Sequence, residues 1–232
     1  ARRQHQIPTV PVRASSTLVS PVTSVRDLGV FLDADLSFQT HVNTVVRSSF
    51  AALRQIRSVR RCLSQQALLT IIRALVVSKV DYCNSLLAGV SDRLLDRLQS
   101  IFNAAARIIF SARKSDHITP LLRELHWLRV PQRIQFRLCV LTYQCLHGTG
   151  PTYLSEMFRC AADVESRRRL RSADTSTLLV PKTRRSTIGD RAFPVAAARA
   201  WNALPSDLRD VETLSVFRQR LKTHLFRVCF DC

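Results

Sequence analysis

From Phe38 to His147 the apolar residues recur at helical spacing in one segment after another, and that period most narrows what this chain can become. In HVNTVVRSSFAALRQI the positions Val42, Val45, Val46, Phe50, Leu53 and Ile56 share one face. Ser64 is placed to cap the next segment, QQALLTIIRALVVSKV, whose apolar residues run almost all round and predict a central, buried helix. Ser91-Asp92 caps a third, with Leu94, Leu95, Leu98, Ile101, Phe102, Ala105, Ile108 and Ile109 inside. A short helix is expected near Pro120 to Leu125. Pro131 then suits the first turn of another, with Ile134, Leu138, Leu141 and Cys145 as its stripe. HGTGP, His147 to Pro151, ends it.

The flanks read differently. Residues 1–38 are predicted extended, with VRDLGVFLD as a buried strand whose Leu28, Val30 and Leu32 share a face. After a short helical segment near Tyr153 to Arg159, ESRRRLRSADTS reads as a linker or exposed loop. TLLVPKTR and STIGDRAF predict a β-hairpin, and WNALPSDLR a proline-interrupted turn. A closing helix carries Leu214, Phe217, Leu221, Leu225 and Val228 inside. The expected fold is mainly α with small β additions. Its three parts are N-terminal strands (1–38), a central helical bundle (39–160) and a carboxy-terminal extension of hairpin plus helix (161–232).

Charge is lopsided. Lys and Arg total 35 against 17 Asp and Glu, for a net charge of +18. Four of the basic residues are lysine and the other 31 are arginine. Arginine's planar fork matches phosphate oxygens two at a time, so a polyanionic partner is expected. Five glycines argue against a glycine-rich cofactor loop. No apolar run reaches the ~18 residues of a membrane span. Seven irregularly spaced cysteines do not make a disulfide framework, which points to a reducing, intracellular compartment. The first residue is Ala, as expected of a fragment or a piece of a polyprotein.

Few residues suggest chemistry. Asp27, Asp33 and Asp35 lie together in RDLGVFLDADLSF, and carboxylates beside a strand can hold paired Mg²⁺ ions. The run leads straight into a helix, however, so Asp35 or Ser37 reads better as an N-cap or first-turn residue. Cys229 and Cys232 form a terminal C-x-x-C, half of a zinc set, with His224 as the single close third ligand; no complete metal site is expected. His117 and His126 lack triad partners. Trp127 and Trp201 are expected to anchor cores. Neither a cofactor nor a small-molecule substrate is implied.

Several stretches stand in a recognisable order: VRDLGVFLDADLSFQTHV, VDYCNSLLAGV, LQSIFNAAARII, HWLRVPQRIQFRLCVLTYQCLHGTGPTYL, RAFPVAAARAWNALPSDLR and FRQRLKTHLF. Over roughly residues 24–230 the chain resembles the region downstream of the catalytic palm in LINE-type (non-LTR) retrotransposon reverse transcriptases of the jockey and chicken-repeat group. That family usually carries proline directly after HWL; here Arg129 stands there and the proline is Pro131. The resemblance implies a final palm strand, a thumb-like helical bundle and a carboxy-terminal extension. It implies as partners template RNA, the RNA–DNA hybrid and the upstream palm of the same polyprotein. The adjacent catalytic aspartates of such enzymes are missing, since the chain has no Asp-Asp pair, so no catalysis is expected of this chain alone.

Three basic clusters are the candidate contacts. Arg47, Arg54 and Arg61 lie seven apart, with Arg57 and Arg60 beside them. Arg167, Arg168, Arg169 and Arg171 follow in the loop, and Lys182, Arg184 and Arg185 on the expected hairpin. A thumb helix can track phosphates by shape without reading bases. The chain is thus expected to grip template and primer in the nucleus or cytoplasm. The alternative is a retrotransposon-derived relic serving as a small interaction or structural domain.

Overall fold

The computed structural model describes residues 10–161 and 176–230 and is mainly α-helical with small β additions. Two antiparallel hairpins come first: β1 (Val12–Ala14) with β2 (Thr17–Val19), and β3 (Ser24–Asp27) with β4 (Val30–Asp33). The second corrects the expectation of one buried strand through VRDLGVFLD. The chain reverses at Leu28 and Gly29, whose φ angles are 44° and 85°, the pair of positive values a tight two-residue hairpin demands. Leu28 is therefore at a turn tip and 84% exposed, where the Tyr82 hydroxyl donates to its carbonyl at 2.7 Å.

Helix α1 (Gln39–Val59) follows, and a 3₁₀ turn (Arg60–Cys62) leads to α2 (Gln65–Ile72). The Ser64 hydroxyl caps α2 by accepting from the Ala67 N–H at 3.2 Å, as the sequence predicts. A π-turn (Arg73–Val77) joins α2 to α3 (Ser78–Asp81) without a break. Leu68, Ile72, Val76 and Val80 are its buried residues, each four apart. A four-residue step overshoots a 3.6-residue turn by about 40°, so such a row drifts round an ordinary helix. The wider π-turn takes up the drift and keeps the row facing the core.

That helix is not the central one. Leu75 is 48% exposed, and Arg73 and Ala74 face solvent. The centre belongs to α6 (Val130–Leu146), reached through α4 (Asp92–Ile109) and α5 (Ile118–Glu124). Beyond the predicted stripe, α6 also buries Val130, Cys139, Val140, Thr142 and Tyr143. On one side Ile134 and Leu138 join an apolar cluster built by β4, α1 to α5 and the turn at Asn84–Leu87. On the other, Cys139, Val140 and Tyr143 join Leu178, Trp201, Phe217, Leu221 and Leu225. Trp127 and Trp201 are core anchors, as expected, at 4% and 1% exposure.

The remaining helices are α7 (Thr152–Ser155), α8 (Ser186–Gly189), α9 (Phe193–Asn202), α10 (Ser206–Arg209) and α11 (Leu214–Phe230). The expected hairpin over TLLVPKTR and STIGDRAF does not form. Leu178 bridges Cys160 instead, and the second half is the helical turn α8. The cause lies in Asn202, whose side-chain amide pairs with both backbone groups of Leu178, accepting from its N–H at 2.9 Å and donating to its carbonyl at 2.8 Å. The Trp201 indole donates to the Ser176 carbonyl at 2.7 Å. With Ala161 and Arg159 pairing on the other side, residues 177–179 have no edge left for a hairpin partner. Val228 also departs from expectation: it is 47% exposed, because the last turn of α11 turns Phe226 and Phe230 inward instead.

Removing the Asn202 amide leaves two backbone groups of Leu178 unpaired in a half-buried setting. Asn202→Ala should lower unfolding free energy by about 1–3 kcal/mol. A urea midpoint that does not move would refute this account of the 176–202 tether.

Candidate nucleic-acid interface

The acidic cluster at the start of α1 settles into structural work. Asp33 ends β4, and its Oδ2 accepts from the Thr40 N–H at 3.1 Å and from the Ser37 hydroxyl at 3.0 Å. It satisfies a first-turn donor of α1 from outside the helix, placing negative charge at the positive end of the helix dipole. Asp35 accepts from the Ser37 N–H at 3.0 Å, and the Ser37 hydroxyl accepts from the Gln39 N–H at 3.4 Å. Thus Asp35 and Ser37 do shape the junction, but Asp33 takes the main cap. Asp27 stands exposed opposite Val30 at the far end of the hairpin. Among the described residues no three His, Cys, Asp or Glu side chains gather as a metal would require. Burial raises the Asp33 pKa, but the hydrogen bonds from Thr40 and Ser37 outweigh it and hold the carboxyl below its ordinary value.

Helix α1 carries no Asp or Glu along its 21 residues. Arg47, Arg54, Arg57 and Arg61 are exposed and Arg60 is half-buried. None of the five makes an ion pair with a described residue. Seven residues of helix rise about 10.5 Å, so Arg47, Arg54 and the start of the following turn stand at roughly three-nucleotide intervals of a strand. The stripe runs beside α4: Asn43, on its line, accepts a hydrogen bond from Arg97 of α4. At the far end Arg60 and Arg61 share a cleft with Ile109, Phe110 and Glu124. The two helices therefore run parallel, with the arginines along their shared flank.

Three arginines that sequence reasoning did not select complete the near end. Arg93, Arg97 and Arg191 line a polar cleft of about 400 Å³ with Asp35 and Ser91. Arg191 arrives from 98 residues beyond Arg93, lies 5.4 Å from the centroid of the Phe38 ring, and crosses Gly89. A Cβ on Gly89 would sit 2.7 Å from Cγ of Arg191, and its φ is +68°, so only glycine allows this approach. Burial lowers the Arg191 pKa, partly offset by Asp35. No signal in the sequence marks them: Asp92, Asp96 and Asp190 directly precede Arg93, Arg97 and Arg191, and nothing local reveals that these positions meet.

Lys182, Arg184 and Arg185 are exposed and precede α8. Ser186 shares a second cleft with Gly89, Leu95 and Arg191, so this cluster joins the near end of α4. It is separated from Arg60 and Arg61 by roughly 20 Å of α4, from the rise per residue between Leu95 and Ile109. Arg167, Arg168, Arg169 and Arg171 lie outside the described residues, as does Cys232. No helix among the described residues is long and apolar enough to cross a membrane. No family model matches the chain, and neither a curated protein nor a solved structure does.

The Asp33 cap generates a pH-dependent contribution. A carboxyl whose folded pKa is depressed stabilises the fold above its unfolded pKa, and the gain is lost as pH falls through the folded value. Asp33→Ala should cost about 0.5–2 kcal/mol at neutral pH. The gap from the parent protein should narrow below about pH 4. Thermal melts showing a constant gap down to the acid limit would contradict this role.

Proposed function

We propose that the chain is the thumb-like and carboxy-terminal part of a LINE-type reverse transcriptase and that it grips the template–primer duplex without carrying catalysis of its own. The observation that supports this reading most is the acid-free arginine flank of α1, continued at its near end by Arg97, Arg93 and Arg191. Arginines at such intervals along a rigid rod suit the sugar–phosphate strands of an A-like hybrid, held by charge and shape. Lys182, Arg184 and Arg185 extend the same track. Such a partner places the protein in the nucleus or cytoplasm.

The first hairpin adds a second partner. Val12, Leu18 and Val19 are all more than half exposed, as are the neighbouring Val10 and Val22. An apolar ribbon of this kind asks for a protein surface. The upstream palm of the same polyprotein fits the resemblance. A protein-interaction domain derived from a retrotransposon is the rival reading favoured by the same ribbon, and duplex affinity separates the two.

Fluorescence anisotropy of a labelled RNA–DNA hybrid, titrated over a range of salt, tests the proposal. Affinity should fall steeply with salt. In Arg54→Ala/Arg57→Ala/Arg61→Ala the slope of log affinity against log salt should drop by about 2–3, near 0.9 for each phosphate no longer neutralised. Salt-independent binding, or an unchanged slope in the variant, would sink it.

A further inference from the structure

One cleft lies away from the α1 stripe, and none of Arg47, Arg54, Arg57, Arg60 and Arg61 lines it. It opens between the π-turned helix, the loop between α5 and α6, α6 itself and α11, with a volume of about 760 Å³. The π-turn builds one wall. By holding Leu68, Ile72, Val76 and Val80 on the core, it also aligns the adjacent row, Arg73, Val77 and Asp81, along the cleft. The opposite wall carries Phe136 and Arg137 of α6 and Lys222 of α11, and Leu125 and Trp127 form an apolar floor.

The charge of this cleft is fixed by one half-buried pair. Asp81 is its single carboxylate, and Nη1 of Arg133 occupies both of its oxygens at 3.0 and 2.7 Å. Nε of Arg133 donates to the Leu128 carbonyl at 2.8 Å, and the guanidinium lies 4.2 Å from the centroid of the Phe102 ring. Arg133 is thus immobilised with Nη2 left over. Arg73, Arg137 and Lys222 are exposed and make no ion pair with a described residue. Four cations face one carboxylate that is already used.

An occupant must carry negative charge for the rim and a flat apolar body for the floor. Inorganic phosphate meets the first requirement alone. A nucleotide meets both, and the volume falls in the range of small-molecule sites.

We propose that this cleft binds one nucleotide unit, its phosphate between Arg73, Arg137 and Lys222 and its base over Leu125, Trp127 and Phe136. The nucleotide is either an unpaired residue of a strand or a free mononucleotide. The site stands whether or not α1 lies along a duplex.

Isothermal titration of the full chain with AMP, CMP, UMP and inorganic phosphate tests the site, and short single-stranded RNA distinguishes the sources. Saturable binding is expected for the three nucleotides, tighter than for phosphate. Arg137→Ala/Lys222→Ala should weaken it about tenfold, with Arg73→Ala as a second, separate variant. Both change exposed side chains, and an unchanged circular dichroism melt verifies the fold. Arg54→Ala/Arg57→Ala should leave nucleotide affinity unaltered, which separates this result from that for the hybrid. A trinucleotide binding much more tightly than AMP identifies a strand as the source; equal affinity identifies the free nucleotide. The proposal is overturned if phosphate binds as well as AMP, if no titration saturates, or if both cleft variants bind AMP like the parent.

Discussion

Helix α6 is apolar over more of its circumference than a single layer can hide, so two layers must close on it. One is the bundle of α1 to α5, meeting Ile134 and Leu138; the other is the late helices α9 to α11, meeting Cys139, Val140 and Tyr143. Tyr143 ties the second layer down, its hydroxyl donating to the Val211 carbonyl at 2.9 Å and its ring stacking on Phe217 with centroids 4.5 Å apart. The burial pushes its phenol pKa up, with the Glu212 charge adding to it. Cys139, deep in the same helix, has its thiol pushed up to about 12 and behaves as a small hydrophobe. Where the two layers meet on α6, their seam opens into the clefts that hold Arg137, Lys222 and Arg191.

Four of the scarce acids are spent on the fold. Asp33 caps α1, Asp81 holds Arg133, Asp190 accepts from Thr183 at 2.7 Å and pairs with Arg199 at 3.1 Å, and Asp210 accepts from Ser176 at 2.6 Å. Each fixes a junction between elements far apart in the chain or a helix end. Most of the described arginines make no ion pair, and the surplus of charge faces solvent along α1 and in the two basic clefts. A positive field of this kind survives because repulsion among exposed arginines is weak in water and salt, while a polyanion gains from all of them together.

Much of the helical architecture was legible because it is local. The Ser64 cap, the inner face of α4 and Pro131 at the start of α6 depend on residues within a turn or two of one another. The β3–β4 reversal was missed because Leu28-Gly29 lacks the usual Asn-Gly or Asp-Gly signature. The choice of Asp33 over Asp35 as the cap was missed because it depends on where β4 ends. The hairpin expected after Thr177 failed against a side chain, since Asn202 supplies the pairing that a second strand would have supplied. In the candidate site, the α1 arginines were visible as a heptad-spaced row, whereas Arg93, Arg97 and Arg191 were not, since they converge from different elements.

What the sequence alone determined is the class of fold, the faces of α1 and α4, and a strongly basic surface, because periodicity and charge are properties of neighbouring residues. Tertiary structure alone decided which helix is central, which aspartate caps, and where arginines from distant segments meet. Those outcomes depend on how much apolar surface each helix must hide and which polar groups remain unpaired once it is hidden, and both are settled only when the layers close on α6.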